Sequence, residues 1–166
     1  MNSRVVIIMG VAGSGKTTVG SMLAARNHGV FFDADAFHPP SNVEKMAAGI
    51  PLNDIDRAPW LDRLKNEIID SAMPGQLTVL ACSALKKSYR ERLGVGSPGI
   101  RLFHLESSQG DLLQRLQERS GHFMKAEMLA SQIATLEVPD QSEGIVVATN
   151  RPVLEVVKSI EAFLAK

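Results

Sequence analysis

The sequence predicts an α/β domain, a parallel sheet with helices on both faces. Three observations predict it. Apolar runs alternate with amphipathic stretches along the 166 residues, the pattern of repeated strand–helix units. The apolar runs are short and apolar throughout, as strands covered on both faces are. The first run leads into Gly10-Val11-Ala12-Gly13-Ser14-Gly15-Lys16-Thr17, a complete G-x-x-x-x-G-K-[ST] phosphate loop in its strand–loop–helix context.

The elements follow in order. Apolar runs predict strands over 5–9, 30–32, 77–82, 100–105 and 145–148. Helical periodicity predicts helices over 17–27, 41–48, 58–72, 86–93, 111–119, 125–136 and 152–165. Pro74-Gly75 and Pro98-Gly99 punctuate the turns before two strands. Pro59 reads as lying near a helix start. There is no repeat, low-complexity tract or linker, so 1–166 reads as one domain.

Composition narrows the function classes. The chain is 45% hydrophobic and 22% charged, with formal net charge zero. A broad nucleic-acid or anionic-membrane surface is therefore disfavoured, and positive potential for an anionic substrate has to be local. Cys82 is the single cysteine, which fits a reducing cytoplasm. Because the first strand begins almost at Met1, no signal peptide is expected, and no apolar run is long enough to predict a membrane-spanning helix.

The loop fixes the ligand class. Its glycines let the backbone approach a phosphate, and successive N–H groups form an anion nest at a helix N-terminus. Lys16 would reach the β- and γ-phosphates of a nucleotide such as ATP, and the Thr17 hydroxyl would hold Mg2+. Thr18 opens the helix behind them. The loop alone is shared by ATPases, GTPases and kinases. A GTPase would add D-x-x-G after a strand and N-K-x-D for guanine, and neither is present. A binding module without turnover would be expected to have lost Lys16, Thr17 or Asp35, and all three remain.

Asp33-Ala34-Asp35-Ala36-Phe37-His38 follows the second strand, beyond whose carboxyl end ligands bind in open α/β sheets. Asp35 is placed to accept a hydroxyl proton near the γ-phosphate. The alternative is a pair of turn or capping aspartates, a reading better suited to Asp33 than to Asp35. His38 either bonds a polyol or braces its turn. Asp54 or Asp56 caps the following helix. Arg57 either recognises a carboxylate or phosphate, or pairs with Asp54 or Asp56. Ser83 either contacts the substrate or metal-bound water, or caps the next helix. Cys82 reads as a buried small residue.

The run Asp33-x-Asp35-x-x-His38-Pro39-x-x-Asn42-x-x-Lys45-Met46-x-x-Gly49-x-Pro51-Leu52-x-Asp54-x-Asp56-Arg57-x-Pro59-Trp60-Leu61 resembles the thermoresistant-type gluconokinases. So do Cys82-Ser83-Ala84-Leu85-Lys86-Lys87-x-Tyr89-Arg90 and Arg115-Leu116-x-x-Arg119-x-Gly121-His122-Phe123-Met124. The similarity runs from the first strand to about Pro139. It implies transfer of the γ-phosphoryl of ATP to the 6-hydroxyl of D-gluconate. It also implies a fold like the nucleoside monophosphate kinases: a five-stranded parallel P-loop domain with a mobile lid, here over about 119–136. Family members are typically dimers, so a homodimer is expected.

The resemblance assigns roles residue by residue. Lys16, Asp35 and Arg119 would be catalytic, Arg119 closing with the lid onto the transferring phosphate. Residues 10–18, Arg115, Arg119, Arg151 and Pro152 would bind ATP. Asp35, His38, Lys45, Arg57, Ser83, Lys86, Arg90 and His122 would bind the sugar acid. Two departures stand out: Ala34 where the family has glycine, and Val147-Ala148-Thr149-Asn150, with Ala148 in place of an acidic residue, where an aspartate is common after the last strand.

Overall fold

The computed structural model describes residues 4–118 and 122–166, without the side chains of 122–126. Five strands form one parallel sheet: β1 (Arg4–Met9), β2 (Val30–Asp33), β3 (Leu77–Ala81), β4 (Ile100–Glu106) and β5 (Ile145–Ala148), in the order β2-β3-β1-β4-β5. The helices are α1 (Lys16–Arg26), α2 (Pro40–Ala47), α3 (Asp54–Leu64), α4 (Lys87–Arg92), α5 (Gln109–Glu118), α6 (His122–Thr135) and α7 (Val153–Leu164). A 3₁₀ turn, Ala34–Phe37, carries β2 into α2, and α3 runs on as a π turn, Lys65–Ile69.

Alternation along β1 divides the core into two layers. Val5, Ile7 and Met9 face Trp60, Leu61, Leu64 and Leu93 on one side. Val6 and Ile8 face Val19, Leu23, Val156, Val157 and Ile160 on the other. Burying β1 on both faces explains its uninterrupted apolar run. Gly20 lets α1 lie close against β2, since a Cβ there would stand 2.8 Å from the Phe31 ring.

Helix α3 starts four residues before the expected position. Asn53 caps it: its Oδ1 accepts from Asp56 N at 2.8 Å, and Asp56 Oδ2 accepts from Asn53 N at 3.0 Å. This reciprocal box satisfies two otherwise orphan donors. Pro59 therefore lies inside the helix, not near its start. Proline there leaves the Ile55 carbonyl without its usual donor. Ile55 is exposed, so water can serve that carbonyl. The expected helix over 58–72 also leaves α-geometry early, at the π turn, where Asp70 N bonds Lys65 O at 2.8 Å.

Ala34 needs no positive φ, because it begins the 3₁₀ turn. It is buried, and its carbonyl accepts from Trp60 Nε1 at 2.8 Å. Alanine is thus compatible with this backbone. Thr149, at the second departure, is buried with Oγ1 bonded to Glu106 O at 3.0 Å.

Candidate active site

The carboxyl ends of β1, β2 and β3 open onto two adjoining chambers. The first, about 290 Å³, is lined by Ala12, Gly13, Gly15, Lys16, Thr17 and Asp33, among others. The second, about 200 Å³, is lined by residues including His38, Leu52, Arg57 and Trp60. Asp35, Ser83, Met128 and Gln132 line both.

The first chamber is an anion cradle. Gly13 and Gly15 have φ of 81° and 94°, which L side chains rarely adopt. Gly15 precedes the first turn of α1, so the N-terminal end of that helix faces the chamber. Gly10 is fixed by crowding, since a Cβ there would stand 2.5 Å from Ser14 Oγ. Val11 is buried beneath the loop, and its carbonyl accepts from Lys16 Nζ at 3.1 Å. Thr18 lies exposed on α1, lining neither chamber.

Asp33 does more than turn the chain. Its Oδ1 accepts from Asp35 N at 3.0 Å, the capping role. Its Oδ2 accepts from Thr17 Oγ1 at 3.3 Å. A hydroxyl and a carboxylate, both hard oxygen donors, thus meet beside the phosphate loop. Among the described residues no three His, Cys, Asp or Glu cluster into a metal cage.

Asp35 stands at the junction. Its side chain is 84% exposed into the open cleft. The surrounding walls still raise its pKa above the ordinary 3.8, with Asp33 adding to the rise and Lys16 opposing it. His38 Nε2 lies 4.0 Å from Asp35 Oδ1. Its ring stacks on Trp60, with centroids 4.2 Å apart. Burial first, and then the charge of Arg57, lower the His38 pKa to about 4.

Arg57 lines the second chamber, with Nη1 donating to Leu52 O at 2.6 Å and to Tyr89 Oη at 3.3 Å. Its guanidinium lies over the Tyr89 ring. Tyr89 Oη in turn donates to Asp54. The anticipated Asp54–Arg57 or Asp56–Arg57 pair does not form, because Asp54 pairs with Lys86 and Asp56 with Lys45.

The structure therefore gathers Lys16, Thr17, Asp35, His38, Arg57 and Ser83 but not every expected residue. Arg90 is corrected: it is 1% exposed and lines neither chamber. Its Nε and Nη2 donate to Glu143, and Nη1 to the carbonyls of Ala84, Leu85 and Glu137. A buried guanidinium paired this fully is a structural strut. Lys45 and Lys86 also line neither chamber, being engaged with Asp56 at 2.7 Å and Asp54 at 2.8 Å.

Arg115 braces the loop from behind, with Nη1 donating to Gly13 O at 3.1 Å and Nη2 to Thr149 O at 3.4 Å. Arg151 is exposed after β5, with Nε on Ala148 O, and Pro152 caps α7. Arg119 and the His122 side chain lie outside the described residues. Cys82 is buried, and burial pushes its thiol up to about 12, which excludes a nucleophile. Sequence reasoning missed Asp33 and Gln132 as chamber residues, and Asn42 as the buried partner of His38. For Asp33, the only signal was its place at a strand's carboxyl end.

No family model matches the chain. Curated relatives do. It is 49% identical over 146 residues to the gluconokinase of Gluconobacter oxydans (strain 621H), covering 88% of this chain and 82% of that one. It is 41% identical over 157 residues to the thermoresistant gluconokinase of Escherichia coli (strain K12), covering 93% and 90%. Among solved structures, a gluconokinase from Sinorhizobium meliloti 1021 superposes with a TM-score of 0.86 at 38% identity, covering 98% of this chain and 92% of that one. With its phosphate cradle, its adjoining acceptor chamber and these relatives, the chain belongs to the gluconokinase family.

Proposed function

We propose that the protein transfers the γ-phosphoryl group of ATP to the 6-hydroxyl of D-gluconate, giving 6-phospho-D-gluconate and ADP. The observation that carries this reading is the meeting of the two chambers at Asp35 and Ser83. A nucleotide phosphate in the first and a polyol acid in the second would face each other there.

In this reading the loop amides and Lys16 hold the phosphates. Asp35 takes the proton of the 6-hydroxyl as its oxygen bonds to phosphorus and the bond from phosphorus to the ADP oxygen breaks. A carboxylate with a raised pKa suits that task. The neutral His38 ring orients the hydroxyl and Asp35 from the chamber side. Arg57 is poised to recognise the sugar-acid carboxylate, since a fork of N–H donors matches its geometry. Ser83 contributes a hydroxyl at the junction.

Thr17 and Asp33 would hold Mg2+, which when bound neutralises phosphate charge. Residues 119–136 act as a lid, with Arg119 closing onto the phosphoryl group and His122 onto the acceptor. Arg115, Arg151 and Pro152 lie on the adenine side. The family resemblance supports a homodimer, and a lone buried thiol agrees with the cytoplasm. No described helix is long and apolar enough to cross a membrane. The test is ADP release from ATP and magnesium with D-gluconate, beside shikimate, glycerate and AMP. Selective turnover with gluconate supports the reading, and turnover with another acceptor alone refutes it.

A further inference from the structure

One contact joins the far end of the chain to the phosphate loop. Ala12 N donates to Gln132 Oε1 at 2.6 Å across 120 residues. Ala12 lines the phosphate chamber, so its N–H is one of the donors an anion there would seek. The carboxamide oxygen sits where such an anion would bond. Gln132 lies on α6, whose Glu127, Met128 and Ser131 also line the acceptor chamber. Its own side chain lines both.

The orientation of the carboxamide follows from its partner. Ala12 N–H can only donate, so the atom it meets is the oxygen. Nε2 is then the other end, and it makes no hydrogen bond among the described residues. A phosphate oxygen carries more charge than an amide oxygen and forms the stronger bond to a backbone N–H. A phosphoryl group entering the cradle would therefore displace Oε1 from Ala12. The released carboxamide carries two Nε2–H donors on the wall facing that group.

We propose that Gln132 is the contact between α6 and the transferring phosphoryl group: its Oε1, which accepts from Ala12 N–H, yields that donor to a phosphate oxygen, and its Nε2–H then donates to the same phosphoryl group. The proposal rests on the ATP-dependent reading above. It makes Gln132 a catalytic residue that ties the acceptor-chamber wall to occupancy of the cradle. ADP lacks the terminal group, so its binding does not draw on this contact.

Two substitutions test it. Gln132→Met keeps the length and removes donor and acceptor. Gln132→Glu keeps an acceptor for Ala12 but sets a negative charge against the phosphoryl group. In the full chain, kcat and both KM values are measured for ATP and gluconate, and calorimetry gives Kd for ADP and for a non-hydrolysable ATP analogue. Both variants are expected to keep wild-type melting, and Gln132→Met is expected to keep wild-type ADP affinity. Their kcat should fall about 10²-fold, as for loss of a donor to developing charge. The ratio of analogue to ADP affinity should fall in both, and further in Gln132→Glu. Unchanged kcat with an unchanged ratio overturns the proposal. So does equal weakening of ADP and analogue, which marks damage to the loop. If the unsubstituted protein fails to turn over gluconate, the function proposed above falls, and the affinity ratio still decides the role of Gln132.

Discussion

His38 presents Nε2 to Asp35 Oδ1 at 4.0 Å, and the tautomer that does so is fixed from behind. Asn42 is buried, and its Nδ2 donates to Asp56 O at 2.9 Å. A carbonyl can only accept, so this atom is the nitrogen. The same Nδ2 lies 3.2 Å from His38 Nδ1, which must then be the acceptor. The ring is neutral, with its proton on Nε2, facing Asp35. The lowered His38 pKa, about 4, agrees.

Asp35→Asn should lower kcat by about 10²–10⁴, the range for a lost general base. In the unsubstituted enzyme kcat should rise with pH as Asp35 ionises, through a midpoint above 3.8 because its pKa is raised. Steady-state kinetics across pH check both. Normal turnover in the variant would leave Asp35 a turn residue.

His38 also ties stability to pH. Its folded pKa, about 4, lies below the ordinary 6.5. Between those values the unfolded chain binds a proton that the folded chain refuses. Stability from this group is therefore complete above pH 6.5, falls as pH drops toward 4, and levels below. His104, also lowered by burial, acts in the same direction. His38→Gln should flatten the slope of melting temperature against pH and leave the His104 part. An unchanged slope would place the His38 pKa near its ordinary value.

Arg57→Ala should raise KM for gluconate more than KM for ATP, because Arg57 lines the acceptor chamber alone. Tyr89→Phe should shift the same constant in the same direction and by less, since it removes only the Oη that links Arg57 to Asp54. A larger effect on KM for ATP would move Arg57 to the nucleotide side.

Lys16→Ala should abolish phosphoryl transfer while the protein still melts cooperatively, since Lys16 Nζ donates to a loop carbonyl, that of Val11, and not into the core. Near-normal turnover would remove Lys16 from the phosphate site.

The sheet was readable in the sequence because β1 and β3 are buried on both faces and so carry uninterrupted apolar runs. The loop was readable because phosphate binding constrains consecutive residues. The start of α3 was misread because Pro59 resembles a first-turn proline, while the true signal was the Asn53–Asp56 box. Arg90 and Arg57 look alike in sequence, two arginines within basic or acidic motifs. Only burial separates them: Glu143 and three carbonyls claim one, and the chamber keeps the other. Gln132 was invisible for the same reason, since its partner lies 120 residues away.

The most direct measurement is coupled ADP release from the purified protein with ATP and magnesium, comparing D-gluconate with shikimate, glycerate, AMP and no acceptor. The structure and its family predict turnover with gluconate far above the others. Tight ATP binding with no turnover on gluconate would contradict the central claim.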